Sequence, residues 1–373
     1  MQHKKVINGS KLGETINLLF EQVVNGMNIK LGIEGYSYDD LCNIPTWNER
    51  EDLLSKYYLK SPYLGIINID EYDTVLKFKW EDNYVPQGST YLDKEDKLMA
   101  ITLTKEQTSQ EKAEGKERES YIVIVDREKG EEISRTPIKG KPNDITAIIK
   151  DGLLIVPDHK DGLHGEWNIY KYSKDGTKVD LQYKIEDINS DALDYDNATD
   201  EMVIINGERG YVYDKDTILN KDLSSEERPV KRSLIVADEV HDYDNNEYYT
   251  TRGGISVENN IMTVCHGGFN VIDSDAYENV ASEEVGNFYV QINTATGKIE
   301  GHYKDSIKQE SEGVNYTKEG NTSVTMNYGS ETRVYVAKNS QYTKDYIAQN
   351  YNKETTIKAK IGKKGNKIKT KNK

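Results

Sequence analysis

Of 373 residues only two are cysteine, Cys42 and Cys265. They lie in different segments, so neither a disulfide framework nor a Cys-based zinc motif can be built from them. Phenylalanine (4), tryptophan (3) and proline (7) are scarce. No apolar run approaches the length of a membrane-spanning helix. The opening Met1-Gln-His-Lys-Lys-Val-Ile-Asn lacks the apolar core of a signal peptide, which predicts either a cytoplasmic protein or one exported by another route. Also missing are a glycine-rich phosphate loop (Arg252-Gly-Gly-Ile255 has neither the glycine spacing nor the helix), a Gly-x-Ser-x-Gly elbow and a His-Glu-x-x-His pair. Asp242-Tyr-Asp-Asn-Asn246 lacks the Gly and distal Glu of a calcium loop.

Tyrosine, by contrast, is abundant, at 27 residues. Its ring packs while its hydroxyl stays wet, which suits half-exposed strands. Hydrophobic residues make up 36% and the mean hydropathy is −0.78, low for one thick core. The net charge of −15 argues against general nucleic-acid binding, which needs a basic surface. The segment from Lys353 to Lys373 departs from this balance, with nine Lys against one Glu. That composition predicts a disordered tail over 341–373, able to touch an anionic surface.

The apolar pattern changes twice along the chain. Leu12, Ile16, Leu19, Phe20, Val23, Val24 and Met27 fall at helical spacing behind Ser10 as N-cap. A second helix is predicted from Thr46 to Tyr58, opened by a capping-box spacing and stopped before Pro62, so 1–62 reads as a helical segment. From residue 63 to 340 the pattern is extended. Five short strands, Gly88–Tyr91, Asp144–Ala147, Asp191–Tyr195, Gly254–Val257 and Gly313–Tyr316, are each followed by a more apolar one: Lys97–Ile101, Leu153–Val156, Glu201–Ile205, Asn260–Val264 and Thr322–Met326. A repeat of short strands at this period predicts an all-β fold, a β-propeller. The fifth repeat lacks a fourth strand, and Thr74–Trp80 is an orphan strand ahead of the first. Five blades closed by strands from both ends of the chain is the expectation; six follow if the segment from Tyr63 forms a fuller sheet.

Insertions at 105–119, 157–166, 238–252 and 265–286 fall on connections that share one face of a propeller, while the opposite hairpins read as short. A functional site is expected on the loop-rich face, at the mouth of the central channel. The candidate ligand-binding residues there are Gln87, Asp144, Asp158, His159, Arg252 and His266, with His159 and His266 also the candidate acid and base. Asn143, Asp191 and Glu312 are the candidate oxygen ligands for Ca²⁺. Each has a plainer reading: an Asp or Asn opening an inner strand often bonds turn backbone, and a loop histidine is usually polar surface.

Asn83-Tyr-Val-Pro-Gln-Gly88, followed by strand, charged loop and Tyr121-Ile-Val-Ile-Val-Asp126, resembles the first blade of propeller repeat proteins of low-GC Gram-positive bacteria and their phages. Arg252-Gly-Gly-Ile-Ser-Val257 and Ser311-Glu-Gly-Val-Asn-Tyr316 are similar to their later blade openings. Pro142-Asn-Asp-Ile145 and Glu312-Gly-Val314 more distantly resemble inner strands of gluconolactonase-type propellers, a resemblance that implies a channel metal held by Asn143, Asp191 and Glu312. Three functions follow as expectations. The first is a non-enzymatic module that binds a glycan, wall polymer or protein on the loop-rich face. The second is a Ca²⁺-dependent hydrolase or lactonase. The third is the propeller part of a larger exported toxin or surface protein.

Overall fold

The computed structural model describes residues 47–67, 73–80, 83–142, 144–158, 165–188, 190–224, 227–242, 244–245, 247–270 and 285–337. The helix over 10–27 and the Lys-rich tail lie outside these residues.

The described chain starts with helix α1 (Trp47–Lys60), two residues longer at its end than the pattern predicted, then strands β1 (Tyr63–Ile67) and β2 (Asp73–Lys79). The first blade follows as β3 (Tyr84–Tyr91), β4 (Leu98–Lys105), β5 (Glu119–Asp126) and β6 (Glu131–Lys139), with a short helix α2 (Ser109–Ala113) between β4 and β5. The second blade is β7 (Thr146–Ile148), β8 (Leu153–Asp158), β9 (Glu166–Tyr172) and β10 (Val179–Glu186). The third is β11 (Ala192–Asp196), β12 (Glu201–Asn206), β13 (Arg209–Asp214) and β14 (Arg232–Ile235), with helix α3 (Lys215–Ile218) after β13. The fourth holds β15 (Glu239–Asp242), β16 (Glu247–Glu258), β17 (Ile261–Asn270), β18 (Asn287–Asn293) and β19 (Ile299–Asp305). The fifth holds β20 (Ser311–Tyr316), β21 (Thr322–Asn327) and β22 (Glu331–Ala337).

Closure mixes the chain ends as expected. β2 pairs antiparallel with β22, so the fifth sheet runs β20-β21-β22-β2. Five sheets form a ring, and the six-blade alternative falls. β1 builds no sheet of its own; it runs parallel to β19 and adds an outer strand to the fourth blade, whose order is β15-β16-β17-β18-β19-β1. The opposite face also carries a long connection, residues 215–231 of the third blade, where the sequence reads as a polar bridge from Tyr211-Val-Tyr213 to Leu234-Ile-Val236.

Strand parity explains why the middle strands read as continuous apolar runs. Along β4, Met99, Ile101 and Leu103 join Leu76, Phe78 and Val334 of the fifth blade, whereas Ala100 joins Leu154, Val156 and Tyr170 of the second. Successive side chains point to opposite faces, so a sheet sandwiched between two neighbours is apolar on both. Five such cores lie in the five gaps between adjacent blades.

Near the axis the blades are stapled through backbone. Asp144 accepts the amide hydrogen of Leu193 at 3.1 Å, Asp194 that of Val257 at 2.7 Å, Asp196 that of Asn260 at 2.7 Å and Asp96 that of Lys318 at 2.7 Å. Gly88 is required by close approach: a Cβ there would lie 2.9 Å from the Asp144 Cα of the next blade.

Helix α1 caps the edge of the fourth blade. Leu54 and Tyr58 sink into the core between the third and fourth blades. Glu51 accepts the amide hydrogens of Asp238 and Glu239 at 3.4 and 3.1 Å, Ser55 that of His241 at 3.1 Å, and the Tyr58 hydroxyl that of Ala237 at 2.9 Å. An otherwise bare strand edge is thereby covered.

Candidate functional site

The loop-rich face opens into a cavity of about 580 Å³ at the channel mouth. The first blade supplies Val85 and Gln87 from β3, Thr104 and Lys105 from β4, and Glu106 and Arg118 from the following loop. Lys141 comes from the connection to the second blade, Asp191 from the connection to the third, and Asp238 from the segment entering the fourth. Glu310 precedes β20, Glu312 stands on it, and Asn327 ends β21. Only Val85 and Ile205 contribute large apolar side chains, so the lining is polar, unlike the apolar pockets usual for drug-like molecules.

Three of the residues singled out from sequence therefore share one cavity: Gln87, Asp191 and Glu312. Gln87 is mostly buried, and its Nε2 donates to the Pro86 carbonyl at 2.7 Å. The Asp191 carboxylate accepts the Gly207 amide hydrogen at 2.6 Å, which fixes the turn between β12 and β13 at the cavity wall. Glu312 accepts from Asn327 Nδ2 at 3.0 Å. Burial foremost, then the neighbouring Glu310, pushes its carboxyl well above the usual range, while Lys141 pulls the other way. Asp238 is also pushed up, by burial and by Glu239, Asp191 and Glu208 around it.

The other candidates are placed elsewhere. Asp144 is buried as an inter-blade staple, accepting from Leu193 and Ile145, and burial drives its carboxyl well above the ordinary range. Asp158 ends β8 and is buried against the backbone of Gly140, where a Cβ would lie 2.0 Å from its Oδ1. His266 corrects the sequence expectation most clearly. It stands inside β17 rather than in a loop, wholly buried beneath α1, with ring centroids 6.4 Å from Tyr58 and 6.2 Å from Phe288. Burial lowers its pKa to about 3, so it is neutral and out of reach of a ligand on the surface. Arg252 lies in β16 at a position whose side chain is outside the described residues, as are His159 and Asn143 altogether. Among the described residues no group of three or more His, Cys, Asp or Glu is arranged to hold a metal ion. Asp191 and Glu312 remain the two proposed calcium ligands that line the cavity.

Lys141, Arg118, Asp238, Glu310 and Asn327 were not singled out by sequence. The available signal was their position on the connections of the loop-rich face, diluted by a chain in which charged residues make up 30%.

No protein-family model matches the chain, and no curated protein is similar to it. Solved structures are similar in fold alone. A tail fiber of Staphylococcus aureus phage P68 aligns at 17% identity and a TM-score of 0.46, over 76% of this chain and 56% of that one. This chain thus spans little more than half of the tail-fiber chain. The WD40 β-propeller domain of Doa1 aligns at 12% identity and a TM-score of 0.35, over 73% and 98%. Hydrazine synthase of Kuenenia stuttgartiensis aligns at 11% and 0.34, over 65% and 55%.

Proposed function

We propose that the protein is a binding module whose propeller presents the loop-rich face to a polar partner, a glycan, wall polymer or protein. The observation that carries this reading is the 580 Å³ cavity, open at the channel mouth and lined by polar side chains of the first, third and fifth blades and the connections between them. A rigid ring holds these groups at fixed separations, so a ligand rich in hydrogen-bonding groups meets them with little ordering cost. A lining of this kind suits an extended hydrated ligand better than an apolar small molecule.

The Ca²⁺-dependent hydrolase reading draws less support. Of its two proton-moving histidines, His266 is sealed in the core. Glu312 is held by Asn327 in a setting that favours its protonated form, which is a poor calcium ligand.

The test is binding of the full chain to defined oligosaccharides and to purified cell-wall polymer, compared with a Gln87→Ala/Asp238→Ala variant. Loss of binding with an unchanged melting curve supports the reading. Undiminished binding by the variant moves the site away from the cavity.

A further inference from the structure

Two carboxyl groups meet on the fifth-blade side of the cavity. Glu310, just before β20, and Glu312, on it, both line the space, and their side chains hydrogen-bond to each other. Glu312 is 8% exposed, and Asn327 Nδ2 at the end of β21 donates to its Oε1 at 3.0 Å. A hydrogen bond between two carboxyls needs a proton on one of them, because two carboxylates in contact repel. Burial foremost, and then Glu310, favour that proton on Glu312. The Asn327 hydrogen bond and Lys141, from the connection leaving the first blade, act in the opposite sense and are outweighed. From β17, the Cys265 thiol also lies within electrostatic reach of Glu312, and burial keeps it neutral. The other titratable groups around the cavity are Lys105, Glu106 and Arg118 of the first blade, Asp191 at the entry to the third and Asp238 at the entry to the fourth. No histidine is among the described lining residues.

The adjacent first blade supplies a second group of mixed character. Gln87 is mostly buried, its Nε2 gives one hydrogen to the Pro86 carbonyl, and its Oε1 has no partner among the described residues. A side-chain amide and a carboxyl pair that holds one proton each combine donor and acceptor. A hydroxyl group matches that pattern, since it gives one hydrogen bond and accepts others. A cation would instead compete with the shared proton.

Resting on the binding role proposed above, we infer that the cavity takes a neutral saccharide, and takes it only while Glu310 and Glu312 hold their proton. Loss of that proton replaces a donor–acceptor pair by two adjacent negative charges, so ligand and proton bind together. Saccharide hydroxyls do not titrate near neutrality, which leaves any dependence on pH to the protein.

The experiment measures the affinity of the full chain for cellotetraose, chitotetraose and maltotetraose by calorimetry between about pH 5 and about pH 10, with a melting curve at each pH to separate loss of ligand from loss of fold. One of them is expected to bind with constant affinity at the acid end and to weaken by about tenfold per pH unit once the pair loses its proton. Over that falling limb, binding should take up about one proton, read from the heat in buffers of different ionisation enthalpy. Glu312→Gln carries the neutral form at every pH, so its affinity should stay level across the range. Glu310→Gln removes the neighbouring like charge, so the fall should begin at a lower pH than in the parent chain. A level affinity in the parent chain overturns the inference and leaves the binding role standing. So does a slope that persists in Glu312→Gln, which would belong to another carboxyl such as Asp238. If no tetrasaccharide binds at any pH, the inference falls together with the glycan reading of the binding role.

Discussion

The indole N–H of Trp80 donates to the hydroxyl of Thr332 at 2.7 Å, joining residues 252 positions apart. Both groups are buried, and the bond sits where β2 completes the fifth blade. Trp80→Phe keeps the ring over Phe78, with which Trp80 stacks at 5.3 Å, but leaves the Thr332 hydroxyl without its donor. The expected loss is roughly 1–2 kcal/mol, read as a lower urea midpoint. A double variant with Thr332→Val should recover part of it, because both polar partners are then gone.

Gly88 tests the close contact of inner strands. A methyl group there would meet the backbone of Asp144 and Ile145 at 2.9–3.1 Å, and backbone cannot swing aside as a side chain can. Gly88→Ala should destabilise the ring by roughly 1–3 kcal/mol. Gly207→Ala, with nothing within 4 Å but a positive φ of 57°, should cost only the backbone strain, about 1 kcal/mol. Thermal melting of the two variants side by side separates crowding from strain.

Asp305 makes stability depend on pH in a defined direction. Its carboxylate is buried and accepts from the Asn287 and Ile307 amides, both at 2.9 Å, and from the Tyr289 hydroxyl at 2.6 Å. Burial nonetheless dominates and pushes its pKa up to about 6. The folded state then holds this proton more tightly than the unfolded chain. The contribution is full below about pH 4 and is lost as pH rises to about 6, roughly 3 kcal/mol in all. Asp305→Asn should remove that slope from a plot of unfolding free energy against pH. An unchanged slope would assign it to other carboxylates.

Calcium is the remaining test of the site. With Glu312 favouring its protonated form and Asp191 engaged by Gly207, millimolar Ca²⁺ should shift the melting temperature by less than EDTA-treated replicates differ. A saturable rise of several degrees, abolished by Asp191→Asn, would instead establish a channel ion.

The sequence made the ring legible because its decisive signal is periodic: five turn–strand–turn–strand units and one orphan strand at 74–80 are enough to infer closure. β1 was harder to place. Its partner is a parallel outer strand far along the chain, and nothing in Tyr-Leu-Gly-Ile-Ile encodes that neighbour. At the site, Gln87, Asp191 and Glu312 were legible because inner strands begin at the channel mouth. Asp144 occupies a similar position, yet its carboxylate turns into the seam between blades, a choice set by the neighbouring backbone. His266 misled because Val264-Cys265-His266 resembles a strand end, whereas β17 continues to Asn270.

The pairing of β1 with β19 and of β2 with β22 also fixes a timetable. These two strands leave the ribosome before any blade has begun, yet their partners emerge more than two hundred residues later. Until Ala337 is made, β2 has no partner and the first blade lacks the neighbour that covers one of its faces. Ring completion therefore waits for the fifth blade, and a nascent chain halted within that blade would be held open, with apolar strand faces on offer to chaperones.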